Sequence, residues 1–507
     1  FNMSVITPNS PSQRWLTPVI ILMAVAAAAA LGWAVISIAS PAIITVVVVG
    51  LVLAVLTVVR AEFGLALLVL INFTRVSDTL IKYQGFPSVA KPLVALLVVT
   101  VLIHWLLYKE PPRGWDKPLI LIGFYTLVSY ASLLFAGDQA TASIAFSDLL
   151  DDVIIAMLIV LLMQRYQSIR VVVWSLLVSG TFIAAISVYQ YITGQFTNTF
   201  GGFGQAAIMN IVGESNDYRI LGTFGSPNSY AQVLVVLIPL AFDRLLNERR
   251  LLARFAAGFA LVMVVLTVIF TFSRSGFLAL AVVAFLTLLR YRPKLETLLI
   301  GLALAAALVL FMPAQYTERL STLTSFLPGS TSSAQSEVSF RGRINEYAVG
   351  FLMFADYPFL GVGLKNYPAN YLEYSPRVGI DPRREQRAPH SLYIEVAAEQ
   401  GILGVLAFAL ILIAMFRGTA RAASQFGEMG LRRVQSMTSA LSIGMIGYLT
   451  ASFFVHGSYP RPFWLLVGIL LSVANVAAQE YRLFQSQQSG RAPFDLSISI
   501  AQTYDQE

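Results

Sequence analysis

The chain holds three histidines in 507 residues, and one of them, His390, stands where an imidazole can work as a base. It follows the polar run Arg383-Arg384-Glu385-Gln386-Arg387-Ala388-Pro389 and opens a long apolar stretch, so it falls at a water–lipid boundary. Histidine titrates within reach of neutral pH, and a ring at that boundary can accept a proton. A helix-start histidine at an interface fits the same position. His104, in Val101-Leu102-Ile103-His104-Trp105, reads as structural, with its ring bonded to a neighbouring helix. His456, ahead of Gly457-Ser458-Tyr459-Pro460-Arg461, also reads as structural first.

Arginines form the second set. Arg274 sits between two apolar stretches in Thr271-Phe272-Ser273-Arg274-Ser275-Gly276; a snorkelling interface arginine is the plain alternative. Arg341 and Arg343 flank Gly342 in Ser339-Phe340-Arg341-Gly342-Arg343-Ile344-Asn345. Guanidinium forks match phosphate oxygens bidentately and stay protonated, so three arginines near one membrane face can bind a diphosphate. Arg219 leads Ile220-Leu221-Gly222-Thr223-Phe224-Gly225-Ser226-Pro227-Asn228. There Ser226 with Pro227 reads as an N-cap pair. The helix N-terminus behind it would favour an anion; an ordinary capped span is the alternative.

Glu395 and Glu399 lie inside the apolar stretch that His390 opens, and their i, i+4 spacing puts them on one helix face. An unpaired carboxylate there is costly, so one of the two is expected to pair with an arginine. Glu399 is about 180° round an ideal helix from His390, which argues against a direct dyad between them. GxxxxGK[ST], HExxH and GxSxG are all missing, which leaves an ATP-driven pump, a zinc protease and an α/β-hydrolase without a motif.

The elements that must position these side chains are membrane helices. The chain is 57% hydrophobic and 12% charged, against about a quarter charged for soluble domains. Apolar segments recur near 18–39, 42–59, 62–74, 90–108, 118–136, 148–163, 171–192, 229–246, 253–272, 275–290, 295–312, 391–416, 436–455 and 461–479. The third is short enough to be re-entrant or tilted, and 253–272 must turn tightly into 275–290. Met3 reads as the natural start, and the first span, which lacks a small-residue cleavage site, is expected to be retained. With the N-terminus in the cytoplasm, 20 Lys and Arg fall in cytoplasmic segments and 6 in short outer loops, with 8 more in the long segment 313–389. That bias favours this orientation. His390, Arg219, Arg274, Arg341 and Arg343 then share the outer side. The chain has no cysteine, which excludes disulfides and thiolate chemistry. Its net charge of +7 is loop charge that sets topology, with no nucleic-acid footprint. One membrane domain, 1–507, is expected, with outer segments 193–228 and 313–389. The second is partly helical from Arg341 to Ala355 and then runs through Pro358-Phe359-Leu360-Gly361-Val362-Gly363.

Taken in order, Arg219 to Asn228, Ser273-Arg274-Ser275-Gly276, Arg343 ahead of Pro358 to Gly363, and His390 ahead of Glu399-Gln400-Gly401 resemble the O-antigen ligase and O-antigen polymerase family over roughly residues 180–480. The resemblance implies an all-α, polytopic, GT-C-like bundle of about 12–14 spans in the bacterial inner membrane. Helices 229–312 and 390–480 would form its core, and the active site would face the periplasm. It implies a glycosyltransferase needing no metal or cofactor, which moves an assembled glycan from undecaprenyl diphosphate to an acceptor hydroxyl, the lipid A–core or another lipid-linked glycan. His390 would then be the base, and Arg274 with Arg343 or Arg341 would bind diphosphate. Arg219 would contribute to the same site, with Glu399 and Asn228 as supporting positions. The residues support this chemistry on their own terms, since a glycosyl diphosphate carries its leaving group and needs a base and cations. A lipid-linked sugar transporter would place polar groups at mid-depth in several spans, and here they lie near span ends. A non-catalytic scaffold gives no reason for His390 and the arginines to share a face.

Overall fold

A computed structural model of the chain describes residues 41–106, 109, 111–208, 218–292, 334–380, 385–455 and 461–488. The apolar segments expected at 18–39 and 295–312, the Ser/Thr-rich stretch before 334, and His456 lie outside the described residues. The other twelve expected segments all fall on helices.

Pro41–Val59 (α1) is followed by Ala61–Thr74 (α2), Val76–Gln84 (α3), Ala90–Leu106 (α4), Asp116–Ser132 (α5), Gln139–Leu162 (α6) and Gln167–Thr193 (α7). A short antiparallel pair, Ala206–Ile208 (β1) with Tyr218–Ile220 (β2), then leads into Pro227–Val235 (α8) and Leu237–Asn247 (α9). Next come Leu251–Phe270 (α10) and Arg274–Tyr291 (α11). Ala334–Asp356 (α12) and Tyr367–Val378 (α13) form the outer segment, and Leu392–Glu428 (α14), Arg432–Ala451 (α15) and Arg461–Gln488 (α16) end the bundle.

The described chain is thus an all-α, polytopic membrane bundle. Seven of its helices are long and apolar enough to cross a bilayer, or eight if the bent pair α2–α3 is one span. Two of the 14 expected segments lie outside the described residues, and composition accounts for several of the others. α4 has only 17 residues. α6 carries Asp148, Asp151 and Asp152, and α15 starts on two arginines and is rich in Ser, Thr and Gly. The short third segment proves to be α2, which bends by 54° into α3 at Arg75, a left-handed residue.

Between apolar helices in lipid, close van der Waals packing does the work that water exclusion does in soluble cores. Gly444 of α15 lies where a Cβ would meet Val236 O at 2.6 Å, and Gly468 of α16 where one would meet Ala156 O at 2.8 Å. At Gly468, α16 thus presses against the backbone of α6, and its Trp464 is fully buried against Tyr125 and Phe463.

Polar contacts sort into two ends. At one end Arg461 bridges Asp152 (3.1 Å) and Asp78 (3.2 Å), Arg75 Nη1 donates to Thr223 O (3.3 Å), and Asp138 N donates to Asn366 Oδ1 (2.7 Å). At the other, Arg170 pairs with Glu248 (2.9 Å), and Asn475 and Gln479 donate to Arg113 O (2.9 and 2.7 Å). Every residue of the first group was expected on the outer side or at an outer span end, and every residue of the second on the inner side or at an inner end.

Candidate functional site

The site lies at the first of these ends, around four pieces of chain. The earliest is the turn between α10 and α11. Phe272 takes a left-handed φ of 49° and closes the turn with its N–H on Ile269 O (2.9 Å). Ser273 then caps α11, its Oγ accepting from Gly276 N (3.1 Å). Arg274 is therefore the first residue of a helix, where partial positive charge adds to its own.

Arg219, on β2, braces this turn. Its Nε donates to Thr271 O (2.9 Å) and its Nη2 to Phe272 O (3.3 Å) and Asn228 Oδ1 (3.3 Å). The side chain is buried, and its cation sits on carbonyls at the C-terminal end of α10, a position that suits it electrostatically. Asn228 supports that arginine. Ser226 is at the N-cap as expected, with Pro227 next, but its side chain makes no cap bond.

The third piece is α12. Arg341 and Arg343 are two residues apart, about 200° round the helix, so they point to different sides. Arg341 is exposed, whereas Arg343 is half-buried, lies 5.9 Å over the Phe454 ring, and is close enough to Arg274 for the two charges to act on each other. The alternatives left open by the sequence separate here: Arg343 is the one whose charge reaches Arg274. Among the described residues neither Arg274 nor Arg343 has a carboxylate partner. One turn on from Arg343, Tyr347 donates to Phe453 O (2.6 Å) and fixes α12 to the end of α15.

His390 sits on the fourth piece, in the left-handed region with φ 46°. Leu392 N donates to Ser452 O (3.0 Å), which ties the segment to the same end of α15. The His390 ring is about one-third exposed, and its Nδ1 lies 3.1 Å from Glu346 Oε2 and 2.9 Å from Ala388 O. Glu346 is one turn beyond Arg343 on α12, and its side chain is 1% exposed. Its other oxygen is 3.4 Å from Arg387 Nη1. His390, Arg343 and Arg274 are thus linked through one face of α12. Sequence reading passed over Glu346. Its only signal was the i, i+3 spacing from Arg343, which places both on one side of a helix.

One of Glu395 and Glu399 was expected to find an arginine; the ion pair the described residues show is with a lysine. Lys365 Nζ is 2.9 Å from Glu395 Oε1, while Glu399 accepts from Lys365 N (2.8 Å) and Tyr367 N (3.3 Å) at the start of α13. The reason is a break in α14. At Gly401 (φ 61°, ψ −161°) the helix opens, and the carbonyls of Ala398 and Glu399 accept instead from Val362 N (2.9 Å) and Gly363 N (3.0 Å). In return Ile402 N donates to Pro358 O (2.7 Å). A Cβ on Gly361 would stand 2.3 Å from Glu399 C, and one on Gly401 2.5 Å from Phe359 C. The Pro358–Gly363 and Glu399–Gly401 motifs are thus the two halves of one interlock. His104 is half-buried on α4, whose neighbours do not include these four pieces.

Residues 259–409 match the family model for O-antigen ligase. The match takes in Arg274, Arg341, Arg343, Glu346, Lys365, His390 and Glu399, and it is narrower than the span from about 180 to 480 read from the motifs, leaving out Arg219 and Asn228. No curated protein matches the chain. The matched stretch is thus similar to O-antigen ligase over the part of the chain that holds Arg274, Arg343 and His390.

Proposed function

We propose that the protein transfers an assembled glycan from undecaprenyl diphosphate to an acceptor hydroxyl, with the lipid A–core as acceptor. The observation that supports this reading is that two guanidinium groups, Arg274 and Arg343, lie close enough for their charges to interact, one helical turn from the carboxylate beside His390. Two like charges side by side at a helix N-terminus make a receptor for a doubly ionised leaving group.

In the proposed step His390 Nε2 takes the proton from the acceptor hydroxyl. The oxygen attacks the anomeric carbon, the bond from that carbon to the diphosphate oxygen breaks, and undecaprenyl diphosphate departs with its charge met by Arg274 and Arg343. One in-line displacement inverts the anomeric centre. Arg219 acts through the turn that presents Arg274. The polyprenyl tail enters sideways from the bilayer, with the reaction on the periplasmic side of the inner membrane. A polymerase would use the same donor, base and cations with a second lipid-linked glycan as acceptor.

The test is purified protein with a lipid-linked glycan and, in separate reactions, lipid A–core or a second lipid-linked glycan. Product on lipid A–core supports the ligase, product only on the second supports the polymerase, and no product with either removes both. His390→Ala, expressed at normal level, should abolish transfer; normal transfer by that variant would remove the mechanism.

A further inference from the structure

We infer that Glu346 is a positioning residue for His390, holding a buried negative charge against Nδ1 that stabilises the imidazolium formed during transfer. The inference rests on the reading of His390 as the base. Nδ1 hydrogen-bonds the Ala388 carbonyl at 2.9 Å, and Glu346 Oε2, buried and without a hydrogen bond of its own, lies 3.1 Å from the same nitrogen at ion-pair distance. A bare lone pair would be repelled by both oxygens, so the proton of the neutral ring belongs on Nδ1. That leaves Nε2 as the acceptor, the atom that must meet the hydroxyl. When Nε2 takes the proton, the ring becomes a cation beside a buried anion, and opposite charge at that range favours the charged form. The proton stays on the ring throughout, and the carboxylate remains ionised.

The rest of α12 is built to hold this carboxylate still. Its two oxygens are divided, Oε1 towards Arg387 and Oε2 towards His390. Tyr367 OH donates to the Glu346 backbone carbonyl (2.5 Å), and Asn345 Nδ2 donates to Tyr371 OH and Ser375 Oγ (3.0 Å each). A purely structural Glu346 would need only Arg387, since burying a carboxylate requires a partner but not a second, titratable one. The same helical face therefore supplies a cation for the leaving group at Arg343 and an anion for the base at Glu346. Around the pair, among the described residues, the charged or titratable groups include Arg343 and Tyr347 on α12, Tyr367 on α13, Arg387 and Glu385 on the segment of His390, and Arg274 on α11.

With only three histidines, ¹⁵N-histidine spectra of the protein in lipid nanodiscs can be read directly, and the His390 signal is the one lost in His390→Ala. In the wild type the neutral His390 ring should be the Nδ1–H tautomer. Glu346→Gln should keep that tautomer, since the Ala388 carbonyl still accepts from Nδ1, and lower transfer by about 10²-fold. Glu346→Asp, which keeps the charge, should recover part of the rate. Glu385→Gln, which alters the neighbour of Arg387 but not the imidazole, should leave the tautomer as it is. A Glu346→Gln protein with the wild-type rate, or a Glu346→Asp protein no faster than Glu346→Gln, would overturn the inference. Normal transfer by His390→Ala would instead bring down the base reading beneath it, an outcome distinguishable because it does not depend on Glu346.

Discussion

At the scale of single residues, Arg274 and Arg343 gain meaning from each other. Either one alone reads as an interface arginine. Side by side, with no described carboxylate between them, they repel, and that repulsion is relieved when an anion arrives. Arg274→Ala and Arg343→Ala should each lower kcat by about 10²-fold, the typical loss for one group that stabilises charge in the transition state. The double variant should lose less than the product of the two, because one remaining cation cannot hold the diphosphate in place. Steady-state kinetics with the lipid-linked donor checks this; full additivity would place the two arginines on separate tasks. The sequence made both residues legible through their sidedness. It left Arg341 and Arg343 equal, because choosing between them needs the rotation of α12 about its axis, which Phe453 and Phe454 set from a distance in sequence of more than a hundred residues. Glu346 was invisible for the same reason, as a lone carboxylate in a polar-looking segment whose burial only α13 and the His390 segment create.

At the scale of elements, the interlock between Pro358–Gly363 and the break in α14 carries the site. Both strings were visible as motifs, but their relation was not, since nothing local says that the N–H groups of 362 and 363 answer the carbonyls of 398 and 399. Gly401 adopts backbone angles that an L side chain tolerates poorly, and the space for a Cβ is filled by Phe359. Gly401→Ala should therefore destabilise the protein by about 1–3 kcal/mol from backbone strain alone, and transfer should fall with it as Glu399 and Lys365 lose their places. Thermal melting in detergent together with the transfer assay measures both. Unchanged melting would mean that the break is not required. The Glu395–Glu399 pair shows how a correct pattern can take an unexpected partner. The two carboxylates do share one side of the helix and do find a cation, but it is Lys365, brought in by a loop whose fold depends on α14 itself.

At the scale of the whole molecule, the alternation of spans written in the Lys and Arg bias reappears as two separate sets of polar contacts. Helix type and order were legible almost throughout because hydrophobicity is local. Span number was less so, because α6 and α15 hold polar residues that only neighbouring helices shelter. The absence of native cysteine makes orientation directly measurable. Glu373→Cys should react with a membrane-impermeant maleimide in intact spheroplasts, and Arg432→Cys only after permeabilisation; the reverse pattern would invert the topology.

The opened turn of α14 also has a consequence for how the protein is made. Carbonyls at 398 and 399 have no helical partner of their own, and in lipid no water can stand in for one. They are satisfied only by a stretch of chain synthesised some thirty-five residues earlier. An α14 inserted before that earlier stretch is caught would leave these carbonyls unpaired, so insertion of α14 and docking of 358–363 are expected to be coupled during biogenesis.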